Sequence, residues 1–326
     1  MLITLLWNTE LCFPQLPNTS CRRPEPPHLD TLLIYILLYS ISLLTAALNL
    51  LVIISISHFR QLHTPTNILL LSLAVSDFLV GSLLMPVEIL LTETCWMLGD
   101  LMCALYFLLP VIIVAASVGN MVLISVDRYV AICDPLHYTV KATQRLAIIC
   151  ILLCWTCSVV YSIFLLFDNL KQPGRYNSCN GDCMVNITGV VDLVVSFIIP
   201  ITAIIVLYMR VFVVAVSQAR TMRSQIAIVS LKTGQVKKSE LKAARTLGIL
   251  VGVFVICYSP YYCVSLVGHE ILVGSKTEIF MMFLMYINSC LNPVIYALLY
   301  PWFKKTIRLI VTFQILRSDS HMANIL

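Results

Sequence analysis

Residues 103–133, CALYFLLPVIIVAASVGNMVLISVDRYVAIC, decide the fold. The stretch opens on a cysteine, runs through an apolar segment broken by Pro110, and ends in Asp127-Arg128-Tyr129. At a helical rise of about 1.5 Å per residue, Cys103 and Arg128 lie about 37 Å apart, close to a bilayer with its interfaces. One helix therefore links two membrane faces.

Composition agrees. The chain has 326 residues, 60% hydrophobic and 11% charged, with a mean hydropathy of +0.93, far too little polar surface for a soluble protein of this size. Apolar segments long enough to span occur at 31–56, 66–92, 100–133, 144–167, 188–217, 240–267 and 277–300. The expected fold is an all-α membrane protein, a seven-transmembrane helix bundle over 31–300. It is flanked by an extracellular N-terminus (1–30) and a cytoplasmic amphipathic helix and tail (301–326). With the N-terminus outside, sixteen Lys and Arg fall on inner segments and five (Arg22, Arg23, Lys171, Arg175, Lys276) on outer ones, the bias that orients membrane proteins. The net charge of +5 thus reflects orientation and cytoplasmic contacts and gives no case for nucleic-acid binding. Met1 to Trp7 lacks a basic start and a small-residue cleavage site, so no removable signal peptide is expected.

The outer segments carry matching chemistry. Asn18-Thr19-Ser20 and Asn186-Ile187-Thr188 are glycosylation sequons, the second close to the membrane. Of the 13 cysteines, Cys21, Cys103, Cys179 and Cys183 lie in or beside oxidising space; two bridges are feasible and three pairings are open. Cys150, Cys154, Cys157, Cys257, Cys263 and Cys290 sit within spans and read as small packing residues.

Polar groups inside the spans need partners, because an ionisable side chain there costs about 2.5–3.5 kcal/mol. Asn49, Asp77, Ser117, Asn288 and Asn292 form one polar cluster if their helices share a bundle. Interhelical hydrogen bonding accounts for it; a hydrated site for sodium at Asp77, Ser117, Asn288 and Asn292 is the sharper reading, and both hold together. No cofactor is expected beyond that ion.

The sequence resembles rhodopsin-like G-protein-coupled receptors through Asn49-Leu50-Leu51-Val52, Leu71-Ser72-Leu73-Ala74-Val75-Ser76-Asp77, Asp127-Arg128-Tyr129, Trp155, Pro200 with Tyr208, Phe254 to Pro260, and Asn292-Pro293-Val294-Ile295-Tyr296. The run from Asn288 to Phe303 further resembles trace amine-associated receptors. So do Cys12-Phe13-Pro14, Asn18-Thr19-Ser20-Cys21 and the pair Cys179 and Cys183, which supports bridges Cys103–Cys183 and Cys21–Cys179. The resemblance implies a plasma-membrane receptor in olfactory neurons, a small-molecule amine as ligand, and a heterotrimeric G protein of the stimulatory or olfactory type as partner.

The departures matter as much. Aminergic receptors carry an aspartate seven residues after the third-span cysteine, and here that position is Pro110. The fifth span instead carries Asp192, spaced by four from Ser196 and Ser196 by four from Pro200, so the three share one helical face. Some fish trace amine receptors resemble this exchange, which makes Asp192 the expected ammonium counter-ion. A structural Asp192, paired to a loop Lys or Arg, is the alternative. Tyr258, Tyr261 and Tyr262, with Tyr286 in the seventh span, offer aromatic faces for a cation, although core packing suits some of them equally. Tyr258 stands where most receptors have tryptophan. Glu88, Glu93 and Glu278 lie near outer helix ends; Glu88 or Glu278 facing inward would hold a second ammonium, whereas solvated rim charges would not.

At the inner end, the resemblance assigns a switch to Asp127, Arg128, Tyr129, Tyr208, Glu240 and Tyr296, with Arg128 pairing to Asp127 and Glu240 at rest, and a packing relay to Val118, Pro200 and Phe254. Tyr300 to Ile310 reads as an amphipathic helix lying on membrane lipid. No paired repeat marks a transporter, and no nucleophile with its base, matched acid pair or metal cluster marks an enzyme. A rhodopsin-like receptor for a non-amine ligand is the runner-up.

Overall fold

A computed structural model of the chain describes residues 11–23, 29–91, 94–187, 189–225, 248–263, 276–316, 320–322 and 325. The first four spans are the helices Leu29–His58, Pro65–Leu91, Asp100–Cys133 and Gln144–Leu165. The fifth begins at Gly189 and continues through Ile199–Gln225, the sixth is Gly248–Cys263, and the seventh is Lys276–Leu299. Six of these are long and apolar enough to cross a bilayer, and the shorter sixth completes a seven-helix bundle. The remainder of the expected 240–267 lies outside the described residues. Boundaries elsewhere fall within a few residues of those read from hydropathy, except that the fifth helix runs on to Gln225.

Local sequence explains where several helices start. Thr64 accepts from the Asn67 N–H with Pro65 at the first helical position, Asp134 accepts from the His137 N–H ahead of Pro135, and Thr143 accepts from the Leu146 N–H. Each satisfies a donor that a helix end leaves orphaned. Pro110 sits inside an unbroken third helix, leaving the carbonyl one turn earlier without its usual N–H.

Of the six long spans the second and seventh are the most enclosed and the fifth the least. Leu43, Leu152, Val160 and Val213 point outward, as lipid-facing residues do. Cross-bundle hydrogen bonds replace what water would supply: Asn49 Nδ2 donates to the Ser289 carbonyl at 3.0 Å, Trp155 Nε1 to Ser72 Oγ at 3.1 Å, and Ser42 Oγ to the Gly81 carbonyl at 2.7 Å. Gly81 lies in a π-turn, Val80–Leu84, pressed so closely on the first span that a Cβ would stand 2.7 Å from the Ala46 nitrogen. A larger residue there would force the two spans apart.

One end of the bundle is knitted by three disulfides, where the sequence reading counted two. Cys103–Cys183 and Cys21–Cys179 form as expected, with Cα separations of 5.6 and 5.2 Å, and Cys12–Cys95 is a third, at 5.6 Å. The segment 11–23 is thereby tied to two loops at once. Backbone bonds reinforce it: Cys21 N–H donates to the Asn180 carbonyl and Asn180 N–H to the Thr19 carbonyl, at 2.9 and 2.7 Å. At the opposite end, Pro301–Val311 packs beneath the first span, burying Trp302, Phe303 and Thr306, with Ser55 Oγ donating to Thr306 Oγ1 at 2.9 Å.

Non-reducing peptide mapping is expected to recover a Cys12–Cys95 cross-link. Cys12→Ser with Cys95→Ser should cost about 2–4 kcal/mol, read as a lower thermal midpoint than wild type; an unchanged midpoint would remove the bridge from any account of stability.

Candidate functional site

In the disulfide-bearing half of the bundle, Asp192 is largely enclosed. Its Oδ1 accepts from Tyr161 Oη at 3.0 Å and from Ser196 Oγ at 2.7 Å. Among the described residues no hydrogen bond falls on Oδ2, and no Lys or Arg pairs with the group, so the loop cation of the structural alternative is not found there. Tyr161, on the fourth span, was not singled out from sequence; a tyrosine amid apolar neighbours gives no signal of its partner. The π-turn Leu193–Ile198 lies between Asp192 and Pro200, yet the four-residue spacing from Asp192 to Ser196 still closes a hydrogen bond.

An aromatic wall continues from this carboxylate. Phe197 stacks on Tyr262 with ring centres 4.6 Å apart, Tyr262 meets Tyr261 edge-on at 5.2 Å, and Tyr262 lies within electrostatic reach of Asp192. Tyr286 is within reach of Tyr261, Tyr258, Tyr106 and Glu88. Glu88, half-buried, accepts the Tyr106 hydroxyl from the third span. Tyr258, Tyr262 and Tyr286 belong to the buried core with Tyr261 packed against it, Tyr262 being coupled electrostatically to Asp192 and Tyr286 to Glu88. Tyr258, Tyr262 and Tyr286 are buried, and the cluster supplies both ring faces and packing. The side chain of Glu278, and Glu93 altogether, lie outside the described residues. Asn18 and Asn186, the sequon asparagines, are exposed.

Deeper in the bundle, Asp77, Asn288 and Asn292 are fully enclosed and Ser117 nearly so. Asn292 Nδ2 donates to Asp77 Oδ2 at 2.8 Å. Among the described residues Asp77 Oδ1, Asn288 Oδ1 and Asn292 Oδ1 meet no hydrogen-bond donor, and each buried acceptor left so costs about 1–3 kcal/mol. Buried orphaned oxygens of this kind are the donors that a hard cation such as sodium takes. Val118 and Phe254 pack in the same core, Phe254 against Tyr258 at 4.2 Å, while Pro200 begins the straight part of the fifth span.

At the other end, Arg128 pairs with Asp127 at 2.6 Å. Asp127 Oδ2 also accepts from Thr66 Oγ1 at 2.7 Å and its Oδ1 from Tyr138 Oη at 2.9 Å, while Arg128 donates to Thr66 as well. Thr66 and Tyr138 were missed in sequence, since they lie 61 and 11 residues from Asp127 with no shared periodicity. Tyr138 rides on the short helix Pro135–Lys141 capped by Asp134, whose carboxyl the His137 side chain, 2.8 Å away, holds below the usual range. Tyr208 rests its hydroxyl against Gly248, leaving no room for a Cβ. Tyr129 packs beside Ile132 and Val211, and Tyr296 is enclosed 6.0 Å from the Tyr300 ring. Glu240 lies outside the described residues.

Residues 48–296 match the family model of the 7 transmembrane receptor (rhodopsin family). Trace amine-associated receptor 4 of Mus musculus is 35% identical over 97% of this chain and 95% of its own length. Trace amine-associated receptor 1 of Homo sapiens is 36% identical over 88% and 89%, and trace amine-associated receptor 13c of Danio rerio is 35% identical over 97% and 96%.

Tyr138→Phe removes one hydroxyl from a charged acceptor and is expected to destabilise the protein by about 1.5 kcal/mol, seen as a lowered thermal midpoint of the purified chain. Thr66→Val should act in the same direction; no shift in either would show that the Asp127–Arg128 pair does not need them.

Proposed function

The chain belongs to the rhodopsin family of seven-transmembrane receptors and, within it, to the trace amine-associated receptors, and on that premise we propose that it detects an organic amine through Asp192 and activates a stimulatory G protein. It is a multi-pass plasma-membrane receptor and not an enzyme. The proposed orientation puts the disulfide-bearing end outside, in keeping with the distribution of basic residues and with the redox chemistry of that face.

The observation that carries the proposal is the state of Asp192: a carboxylate at ligand depth whose two hydroxyl partners both fall on Oδ1. Oδ2 is then the edge offered to an ammonium. Pro110 supplies no charge on the third span, so the cation is met from the fifth. Tyr261, Tyr262, Tyr258 and Tyr286 enclose it, each ring contact contributing about 0.5–2 kcal/mol, while Ser196 holds the carboxylate in place. Glu88 is the second acid of the same pocket, positioned by Tyr106, and would take the far ammonium of a diamine.

Signal would pass down through Val118, Pro200 and Phe254 to the inner end. There the Asp127–Arg128 pair, held by Thr66 and Tyr138, defines the resting arrangement. Activation frees Arg128 toward Tyr208, Tyr296 and the G protein; Tyr129 flanks it, and Glu240 is the proposed resting partner from the sixth span. Sodium bound at Asp77, Ser117, Asn288 and Asn292 would favour the resting state by tying the second, third and seventh spans together. A receptor for a non-amine ligand is the second reading, favoured by one fact: Asp192 already satisfies two hydroxyls and so has a structural task.

In a cyclic AMP reporter assay with surface expression measured, Asp192→Asn should raise the amine concentration for half-maximal response at least about a hundredfold, the scale of a lost ion pair in a low-dielectric site. Full retained sensitivity would favour the non-amine reading. Glu88→Gln should weaken a diamine more than its matched monoamine; equal losses would take Glu88 out of the ligand site.

A further inference from the structure

At the end of the bundle opposite the disulfides, we propose that a basic cavity beside the amphipathic helix binds a polyphosphorylated inositol group, with the receptor's own C-terminal tail forming one wall. The cavity measures about 490 Å³ and is lined by Lys304, Lys305, Arg308, Leu309 and Ile325. That volume falls within the range of about 300–1,000 Å³ typical of small-molecule sites. Lys304 and Lys305 stand four and three residues before Arg308, so all three cations project from one face of Pro301–Val311. The other face is pinned: Trp302, Phe303 and Thr306 are buried, and Thr306 accepts the Ser55 hydroxyl. The helix therefore cannot roll to turn its cations elsewhere.

Ile325 forms one side of this open groove. Ser320, in the turn Ser320–Met322, donates to the Ile315 carbonyl at 2.6 Å and lies 2.9 Å from His58 Nε2 at the end of the first span. Farther on, the Ile325 N–H donates to Gln61 Oε1 at 3.0 Å, and the Ile325 side chain is only 1% exposed. Residues near the chain end thus return to the first inter-helix loop and set an apolar side chain against a cationic cavity. An arginine fork with two lysine point charges suits clustered phosphates, and Leu309 with Ile325 gives an apolar flank to the polyol ring. A basic amphipathic helix beside a bilayer meets such groups as lipid headgroups. The orientation proposed above enters only in deciding which leaflet would supply the lipid; the cavity does not depend on the amine.

The test uses the purified full chain in detergent micelles, with short-chain phosphatidylinositol bisphosphate, short-chain phosphatidylserine and free inositol trisphosphate as probes, and binding read by microscale thermophoresis. The bisphosphate lipid should bind at least about tenfold more tightly than phosphatidylserine, and Lys304→Gln with Lys305→Gln and Arg308→Gln should cost at least about tenfold. Ile325→Ser keeps every cation and should still weaken binding, because it unseats the wall. Thermal midpoints recorded alongside separate a binding loss from misfolding. A lipid preferred over free trisphosphate assigns the membrane as the source, and equal affinity assigns a soluble inositol phosphate. Equal binding of the two lipids by wild type, or wild-type affinity in the folded charge-removed variant, would overturn the site. Neither result would bear on Asp192.

Discussion

The hydrogen bond from Asn292 to Asp77, 2.8 Å long, joins the two most enclosed spans of the bundle. Hydrocarbon offers no partner to a polar group, so a carboxylate at that depth must be satisfied by other spans. Asn49 answers the same constraint on the first span and Trp155 on the fourth, each reaching across to a neighbour. The bundle is specified by these crossings, because apolar contact alone does not distinguish a helix from lipid. Asn292 leaves one Asp77 oxygen unmet and its own Oδ1 as well, which is why the centre reads as a place for an ion or water rather than as finished packing.

The same constraint acts on Asp192 with a different outcome. Two hydroxyls from two spans hold its carboxylate, and neither brings a compensating charge. An ammonium about 4 Å away gains on the order of 4 kcal/mol at the effective dielectric of a protein near its surface. A single aromatic face gives about 0.5–2 kcal/mol. On these magnitudes the acid would decide whether a cation binds, and the tyrosine wall would decide which shape of cation fits. An acid on the fifth span rather than the third leaves the anchor at Cys103 and the pair at Arg128 in place, since both lie at the ends of a helix that Pro110 leaves continuous.

What sequence could reveal follows from range. Span boundaries were legible because hydropathy is a local sum, while the caps at Thr64 and Thr143, equally local, went unread. Asp192 and Ser196 were legible because one helix turn joins them. Tyr161, Thr66 and Tyr138 were not, since their partners lie on other spans or beyond a helix end, and a hydroxyl in an apolar run says nothing of what it will meet. The Cys12–Cys95 bridge went unread for a related reason: Cys95 sits in the short connection after the second span, where a lone cysteine resembles those that merely pack. The return of the tail to Gln61 depends on a contact spanning 264 residues, and no local pattern announces it.

Hydrogen bonds and packing both hold the inner half. Around Arg128 and beneath the first span the ties are hydrogen bonds, through Thr66, Tyr138, Ser55 and Gln61, whose geometry tolerates little displacement. On the fifth span, Val211 packs against Ile132 and the Tyr208 hydroxyl against Gly248. Packing contacts can slide and re-form, whereas a charged hydrogen-bonded pair is made or lost. On the proposed amine site, a displacement started at Asp192 would release Arg128 only by breaking its hydrogen-bonded pair with Asp127, which Thr66 and Tyr138 also hold.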